Sequence, residues 1–472
     1  MVVGSVQSGK TANYTGLICK AADAGYKVII VLAGFHKNLR SQTQIRIEEG
    51  FLGYDKSEPG NHKIIGVGNI AHDHKKLWPD AATTRADNGD FGAGESKNFA
   101  NSIDRPLVFV IKKNNSVLEN LIRYLKGQGM AQKGITDPEQ SAPISGIPLL
   151  LIDDESDQGS INTNKTNIRV ADPDEDETPD PEIDPTVING LIRTVLNTFE
   201  QSAYVAYTAT PFANIMIHKN SESPKFGEDL FPRSFITCIR PPTNYVGPQS
   251  MFGYTDAETG EESEGLPLTR KIDDYADSPA LKEKSGWMPP LHKTTHIPLY
   301  EGEARVPPSL YKALLSYLLS CSARFLRGQG NKHSSMLVHV TRLTDVQSKV
   351  TAQVKESLSN IRQCLVNGAD DPTFSVWQDI KALWEEDYFK TTVAINHERC
   401  PVHEWSEVAK VLPNVVQTIK IREINGSAGD VLDYERHRDS GLNVIAIGGD
   451  KLSRGLTLEG LLTNNPSSDK LS

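Results

Sequence analysis

The chain has 472 residues, 38% hydrophobic and 23% charged, which is too long for one hydrophobic core at about 100–200 residues per domain and somewhat polar but suited to a soluble globular protein with extended loops, so several compact units are expected. A formal net charge of -10 excludes a protein that coats nucleic acid by bulk attraction, and any phosphate-backbone contact has to come from a local basic surface. The cysteines at 19, 238, 321, 364 and 400 are too scattered for a disulfide framework, and no apolar run approaches the ~18–20 residues needed to cross a bilayer, so a reducing cytoplasmic setting with no membrane partner is expected.

The segment GSVQSGKT, from Gly4 to Thr11, fits the phosphate-loop pattern G-x-x-x-x-G-K-[ST]. In such a loop Gly4 and Gly9 let backbone N–H groups converge on phosphate oxygens, Ser8 leads into the positive end of a new helix, Lys10 reaches the outer phosphates of ATP, and the Thr11 hydroxyl holds Mg2+. A helix is predicted from about Lys10 to Ala24, with Leu17, Ile18, Ala21 and Ala22 on one face and Gly25 ending it, followed by a strand over Val28–Ala33. The plain alternative is a glycine turn before an ordinary helix.

Three further apolar runs, Leu107–Ile111, Pro148–Ile152 and Ala203–Tyr207, read as buried strands, so the block is an α/β unit with a parallel sheet flanked by helices. Asp153, Asp154, Glu155 and Ser156 follow the second of these, and a carboxylate at the carboxyl end of a parallel strand is where such a sheet meets its ligand. Asp154 is assigned to the metal and Glu155 to orienting an attacking water, with Asp153 turned elsewhere; a nuclease metal cluster is the rival. Thr208 and Thr210, after the third strand, can bond to acidic residues of the neighbouring strand.

Two basic loops follow strands: His36, Lys37, Asn38 and Arg40, and Lys112, Lys113, Asn114 and Asn115. Lys37, Arg40, Lys112 and Lys113 are candidates for phosphate-backbone contacts, the alternative being plain surface loops. Residues 172–184 (DPDEDETPDPEID) repel one another, carry three prolines and bury nothing, so a disordered insertion is expected rather than a calcium loop.

The first unit is placed at residues 1–215 and a connecting segment, rich in Pro, Gly and Ser, at 216–300. A second α/β unit is placed at 301–472, with a long helix from Pro307, a strand over Ser335–Thr341 and a strand over Asn443–Gly448. His397, Cys400 and His403 lack a fourth ligand for a structural zinc, and His72 and His74 read as solvated.

Taken together, GSVQSGKT, LLLIDDES, YTATPFAN and GGDKLSRGLTLEG resemble motifs I, II, III and V of superfamily-two helicases, and VVGSVQSGKTANYTGLI, DLFPRSFI and GGDKLSRGLTLEGL resemble bacterial endonuclease-type proteins that carry the Z1 domain and a helicase-like ATPase region. The resemblance implies tandem RecA-like P-loop NTPase lobes with ATP between them, and a role in restriction or defence against foreign DNA, with partner subunits. It also implies phosphate binding by Gly9, Lys10 and Thr11, magnesium and hydrolysis at Asp154 and Glu155, and coupling of hydrolysis to movement by Thr208 and Thr210. Gly449, Asp450, Ser453, Arg454, Gly455 and Thr457 match the motif that faces both ATP, through Arg454 and Gly455, and the nucleic acid backbone, through Ser453 and Thr457.

Only Met1, Val2 and Val3 precede Gly4, short of the mean strand of about five or six residues, and in LLTNNPSSDKLS the last ten residues read as a polar tail without an arginine-bearing sixth motif. The expectation is a first strand and second lobe cut short, and slow hydrolysis. Three functions compete: an ATPase that moves along or remodels DNA or RNA, an endonuclease subunit whose ATPase licenses cutting, and a non-catalytic ATP-binding subunit. The cleavage option rests on the resemblance alone.

Overall fold

The computed structural model describes residues 1–56, 62–70, 78–86, 88–92, 104–137, 142–161, 185–219, 221–243, 245–256, 258–278, 280, 282–341, 343–368, 376–395, 398, 400–424, 434–449 and 458–466. The chain forms two compact units, Met1–Gln249 and Ser250–Ser472.

The first unit is built on β1 (Val2–Val3), α1 (Lys10–Asp23), β2 (Val28–Ala33), α2 (Lys37–Ile47), β3 (Asp80–Ala81), β4 (Leu107–Ile111), α3 (Asn115–Gln132), β5 (Leu149–Asp154), α4 (Pro185–Asn197), β6 (Ser202–Thr208) and β7 (Thr237–Cys238). Among the described residues its main sheet has seven strands in the order β7-β1-β6-β5-β2-β4-β3, every pair parallel. Parallel neighbours need long crossovers, which α1, α3 and α4 supply.

Side chains alternate across the sheet, and both faces are covered. Val28, Ile30 and Leu32 of β2 pack with Leu118, Leu121 and Leu125 of α3 and Ile188 and Ile192 of α4. Ile29, Val31 and Ala33 pack on the other side with Tyr14 and Ile18 of α1 and Ile47 of α2. Double coverage is why these strands read as unbroken apolar runs. Truncating one such buried isoleucine to alanine costs about 2–5 kcal/mol.

Local chemistry sets the helix ends. Gly9 precedes α1 at φ 96°, Gly25 follows it at φ 96°, and the Asn114 side chain caps α3 by accepting from the Val117 N–H at 3.2 Å. The expected and observed strands coincide at Val28–Ala33 and Leu107–Ile111. The second acidic-edge strand runs on through Asp153 and Asp154, which sit in the ladder opposite Leu32 and Ala33 of β2. The acidic segment 172–184 lies outside the described residues.

The second unit contains α5 (Pro308–Leu326), β8 (Ser334–His339), α6 (Thr344–Asn367), α7 (Val376–Leu383), α8 (Trp405–Thr418), β9 (Lys420–Ile424), β10 (Asn443–Gly448) and β11 (Leu461–Pro466). Among the described residues its larger sheet has four strands, all parallel, in the order β9-β10-β8-β11. Met336, Val338, Ile445 and Ile447 pack with Leu314, Leu318, Val350, Val354, Leu412 and Val416 from three helices. Helix α8 starts in a capping box, with the Glu404 N–H donating to Glu407 Oε2 at 3.0 Å. β11 corrects the polar-tail expectation for its residues: Asn464 and Asn465 lie in a ladder beside Leu337 and Val338, and an edge strand tolerates polar positions that a central strand would not.

Both units are mixed α/β with parallel sheets flanked by helices, and the large sheet of the first is compatible with a Rossmann- or RecA-like fold. Among the described residues no helix is long and apolar enough to cross a membrane, and all five cysteines are free.

Candidate functional site

The loop Gly4–Gly9 leaves the carboxyl end of β1, anchored by the Gly4 N–H donating to the Thr208 carbonyl at 3.0 Å. A Cβ on Gly4 would come within 2.7 Å of the Ile239 side chain and 3.1 Å of that of Lys10, so any larger residue there has to push Ile239 aside. Ser8 closes the turn, donating from Oγ to the Ser5 carbonyl at 2.8 Å. The Lys10 ammonium curls back over the loop, 3.4 Å from the carbonyls of both Gly4 and Ser5. A Cβ at Gly9 would meet nothing within 4 Å, and the first N–H groups of a helix such as α1 have no partner within it. Thr11 is half-buried on the first turn.

One strand, β6, lies between β1 and the acidic strand β5, so the loop and the carboxylates share one sheet edge about 10 Å apart at ~4.8 Å per strand. Alternation decides which carboxylate faces the loop. Leu150 and Ile152 point toward Tyr14 and Ile18 of α1, and Asp154 continues that face. Tyr14 donates to Asp154 Oδ2 at 3.1 Å, which bolts α1 to the acidic strand β5. Burial pushes the Asp154 carboxyl up, and the charge of Lys10 is the largest influence holding it down. Burial, then the neighbouring Asp154 charge, raises Glu155 as well.

Glu155 has φ 49°, a left-handed conformation uncommon outside glycine. Its N–H donates to Asp154 Oδ1 at 3.0 Å and its carbonyl accepts from Lys113 Nζ at 2.7 Å. Asp153 points to the opposite face, where Oδ2 accepts from Tyr204 at 2.6 Å and Oδ1 lies 2.7 Å from Lys113.

Thr208 and Thr210 both turn onto one carboxylate that sequence reasoning did not single out. Thr208 Oγ1 donates to Asp157 Oδ1 at 2.7 Å and Thr210 Oγ1 to Asp157 Oδ2 at 2.9 Å. Asn214 adds a second clip, donating to the Ser156 carbonyl at 3.2 Å. The signal was present in the D-x-x-D spacing of Asp154 and Asp157, and in the expectation that both hydroxyls meet an acid.

Two of the four basic candidates are interior, which corrects the surface-contact expectation for them. Arg40 is fully buried, with Nη1 donating to Thr84 O at 2.7 Å and Nη2 to Ala86 O at 2.6 Å. Lys113 is likewise without accessible surface and holds the carbonyls of Glu155 and Gln158. Lys37 is exposed and Lys112 half-buried.

In the second unit Gly449 is buried just past β10, while Asp450, Ser453, Arg454, Gly455 and Thr457 lie outside the described residues, as do His397, His72 and His74. Among the described residues no cluster of three metal-ligating side chains occurs. Comparison with curated proteins gives no match. A family model for the Z1 domain matches residues 309–465, from the first turn of α5 into β11, so the second unit is similar to the Z1 domain over that stretch.

Proposed function

We propose that the first unit binds and hydrolyses ATP, and that the chain is a nucleic-acid motor or remodelling protein of the superfamily-two helicase type. The Tyr14–Asp154 hydrogen bond carries this reading, because it fixes the helix that starts at Lys10 against the carboxylate best placed for a cation. An open loop with a left-handed Gly9, an ammonium already over it and hard oxygen donors nearby suit a triphosphate and Mg2+. Lys10, Ser8, Gly9 and Thr11 would hold the phosphates, and Thr11 with Asp154 the Mg2+, whose contribution when bound is to neutralise charge on the transferring phosphoryl group. Glu155, its backbone fixed by Asp154 and Lys113, would orient the attacking water.

The second unit, with its parallel sheet and its similarity to the Z1 domain, is read as a second RecA-like lobe, and DNA as the track in a defence setting, with RNA as the alternative polymer.

The test compares Lys10→Ala with Glu155→Gln. Lys10→Ala is expected to lose Mg-ATP binding, and Glu155→Gln to keep it while hydrolysis falls about 10²–10⁴-fold, the usual contribution of a positioned general base. Undiminished hydrolysis in both variants, or no ATP binding by the unaltered chain, overturns the proposal.

A further inference from the structure

A cavity of about 270 Å³ opens on the first unit, lined by Tyr54, Lys56, His62, Trp78, Pro79, Asp80 and Arg105. It lies at the amino ends of the strands, since Asp80 pairs with Leu107, the first residue of β4. The phosphate loop occupies the opposite edge.

Three aromatic rings meet there. Tyr54 stacks on Trp78 with ring centroids 5.6 Å apart and planes 14° from parallel, and it meets His62 at 4.9 Å. Tyr54 is buried and fixed by donating to the Pro79 carbonyl at 3.0 Å. Burial pushes its phenol up to about 12, so at neutral pH it adds no negative charge. Trp78 remains half-exposed, and His62 and Arg105 are exposed at the rim. Lys56 ties the floor to the sheet, donating to the Ala81 carbonyl and lying 3.6 Å from the Asp80 carboxylate.

We propose that this cavity takes one unpaired nucleobase of a single-stranded nucleic acid, with an adjoining phosphate on Arg105. Each part of the ligand has a counterpart: aromatic faces for the base, a guanidinium for the phosphate, and the Asp80 carboxylate to accept from an exocyclic amine. The volume suits one base and not a duplex end, and amino-bearing adenine or cytosine fits the carboxylate better than thymine. The site does not depend on ATP hydrolysis, and it supplies a contact on the first unit that the buried Arg40 and Lys113 do not make.

The experiment measures fluorescence anisotropy of a labelled short oligo(dA) with the full chain, without ATP and at fixed salt, beside an abasic strand of equal length. Oligo(dA) is expected to bind tighter than the abasic strand. Trp78→Ala lowers that affinity about tenfold, toward the low end for one base–aromatic stack, while Trp78→Phe largely retains it. Arg105→Ala, at an exposed position, weakens both strands. Equal affinity for the two strands, no binding of oligo(dA) by the unaltered chain, or wild-type affinity in Trp78→Ala and Arg105→Ala overturns the proposal. Should Trp78→Ala fail to fold, the abasic comparison and Arg105→Ala still decide it.

Discussion

Lys113 Nζ lies 2.7 Å from Asp153 Oδ1, and neither side chain has accessible surface. The same ammonium donates to the carbonyls of Glu155 and Gln158 at 2.7 and 3.1 Å, so one ion pair and two hydrogen bonds tie β5 to the turn that follows it. Removing one member of a buried pair strands the other, which costs about 3–5 kcal/mol. Lys113→Met is therefore expected to lower the urea midpoint of the first unit sharply, and pairing it with Asp153→Leu to recover part of the loss. A midpoint unmoved by Lys113→Met would show that the pair contributes nothing to stability.

What the sequence discloses follows from which interactions are local. Buried strands such as Val28–Ala33 are legible because both sheet faces are covered, so the run is apolar throughout. The Gly4–Thr11 pattern stands out because the proposed phosphate-binding chemistry needs glycines and a lysine at fixed spacing. Lys113 and Arg40 are not, because a basic residue after a strand looks alike whether it faces water or an interior carbonyl; the carbonyl that decides lies 42 residues from Lys113 and 44 from Arg40. Asp157 was hidden for the same reason, its partners lying 51 and 53 residues away. β11 eluded the pattern because its ladder position, and not its side chains, makes it a strand.

Asp157 holds both hydroxyls of the β6 end and so links the acidic turn to the segment after Thr208. On the proposed function, Asp157→Ala leaves Lys10, Thr11 and Asp154 in place and uncouples that segment. Mg-ATP affinity is expected to stay near its original value, while stimulation of turnover by nucleic acid falls at least about tenfold, the low end for one lost hydrogen bond to a charged acceptor. Equal stimulation in Asp157→Ala and the unaltered chain would remove the coupling role.

The four basic candidates now divide. Lys37 and Lys112 retain access to solvent, and each phosphate contact contributes about 0.9 to the salt slope of duplex binding or about 0.7 for a single strand. Replacing both with alanine is expected to flatten the slope by about 1.4–1.8 if each meets a phosphate. Arg40→Ala is expected to act differently, lowering thermal stability by freeing the carbonyls of Thr84, Ala86 and Gly89 that its guanidinium holds. A flattened slope with unchanged stability in Arg40→Ala would reverse that assignment.

The cysteines supply a pH test in the second unit. Burial pushes the Cys321 thiol up to about 12, against about 8.5 in an unfolded chain. A group raised in the folded state contributes its full stability below the unfolded value and loses it as pH climbs toward the folded one. Stability should thus hold to about pH 8.5 and then decline by up to about 1.4 kcal/mol per pH unit, the free-energy equivalent of one pKa unit. Cys19, half-buried and also raised by burial, adds a smaller decline of the same sign in the first unit. Cys321→Ala should flatten the alkaline arm for the second unit at the cost of a small cavity. Iodoacetamide at pH 8 should label the exposed Cys238 of the native chain well before Cys321, which becomes reactive only on unfolding. Labelling of both at one rate would mean that Cys321 meets solvent, contrary to its place in the helix–sheet core.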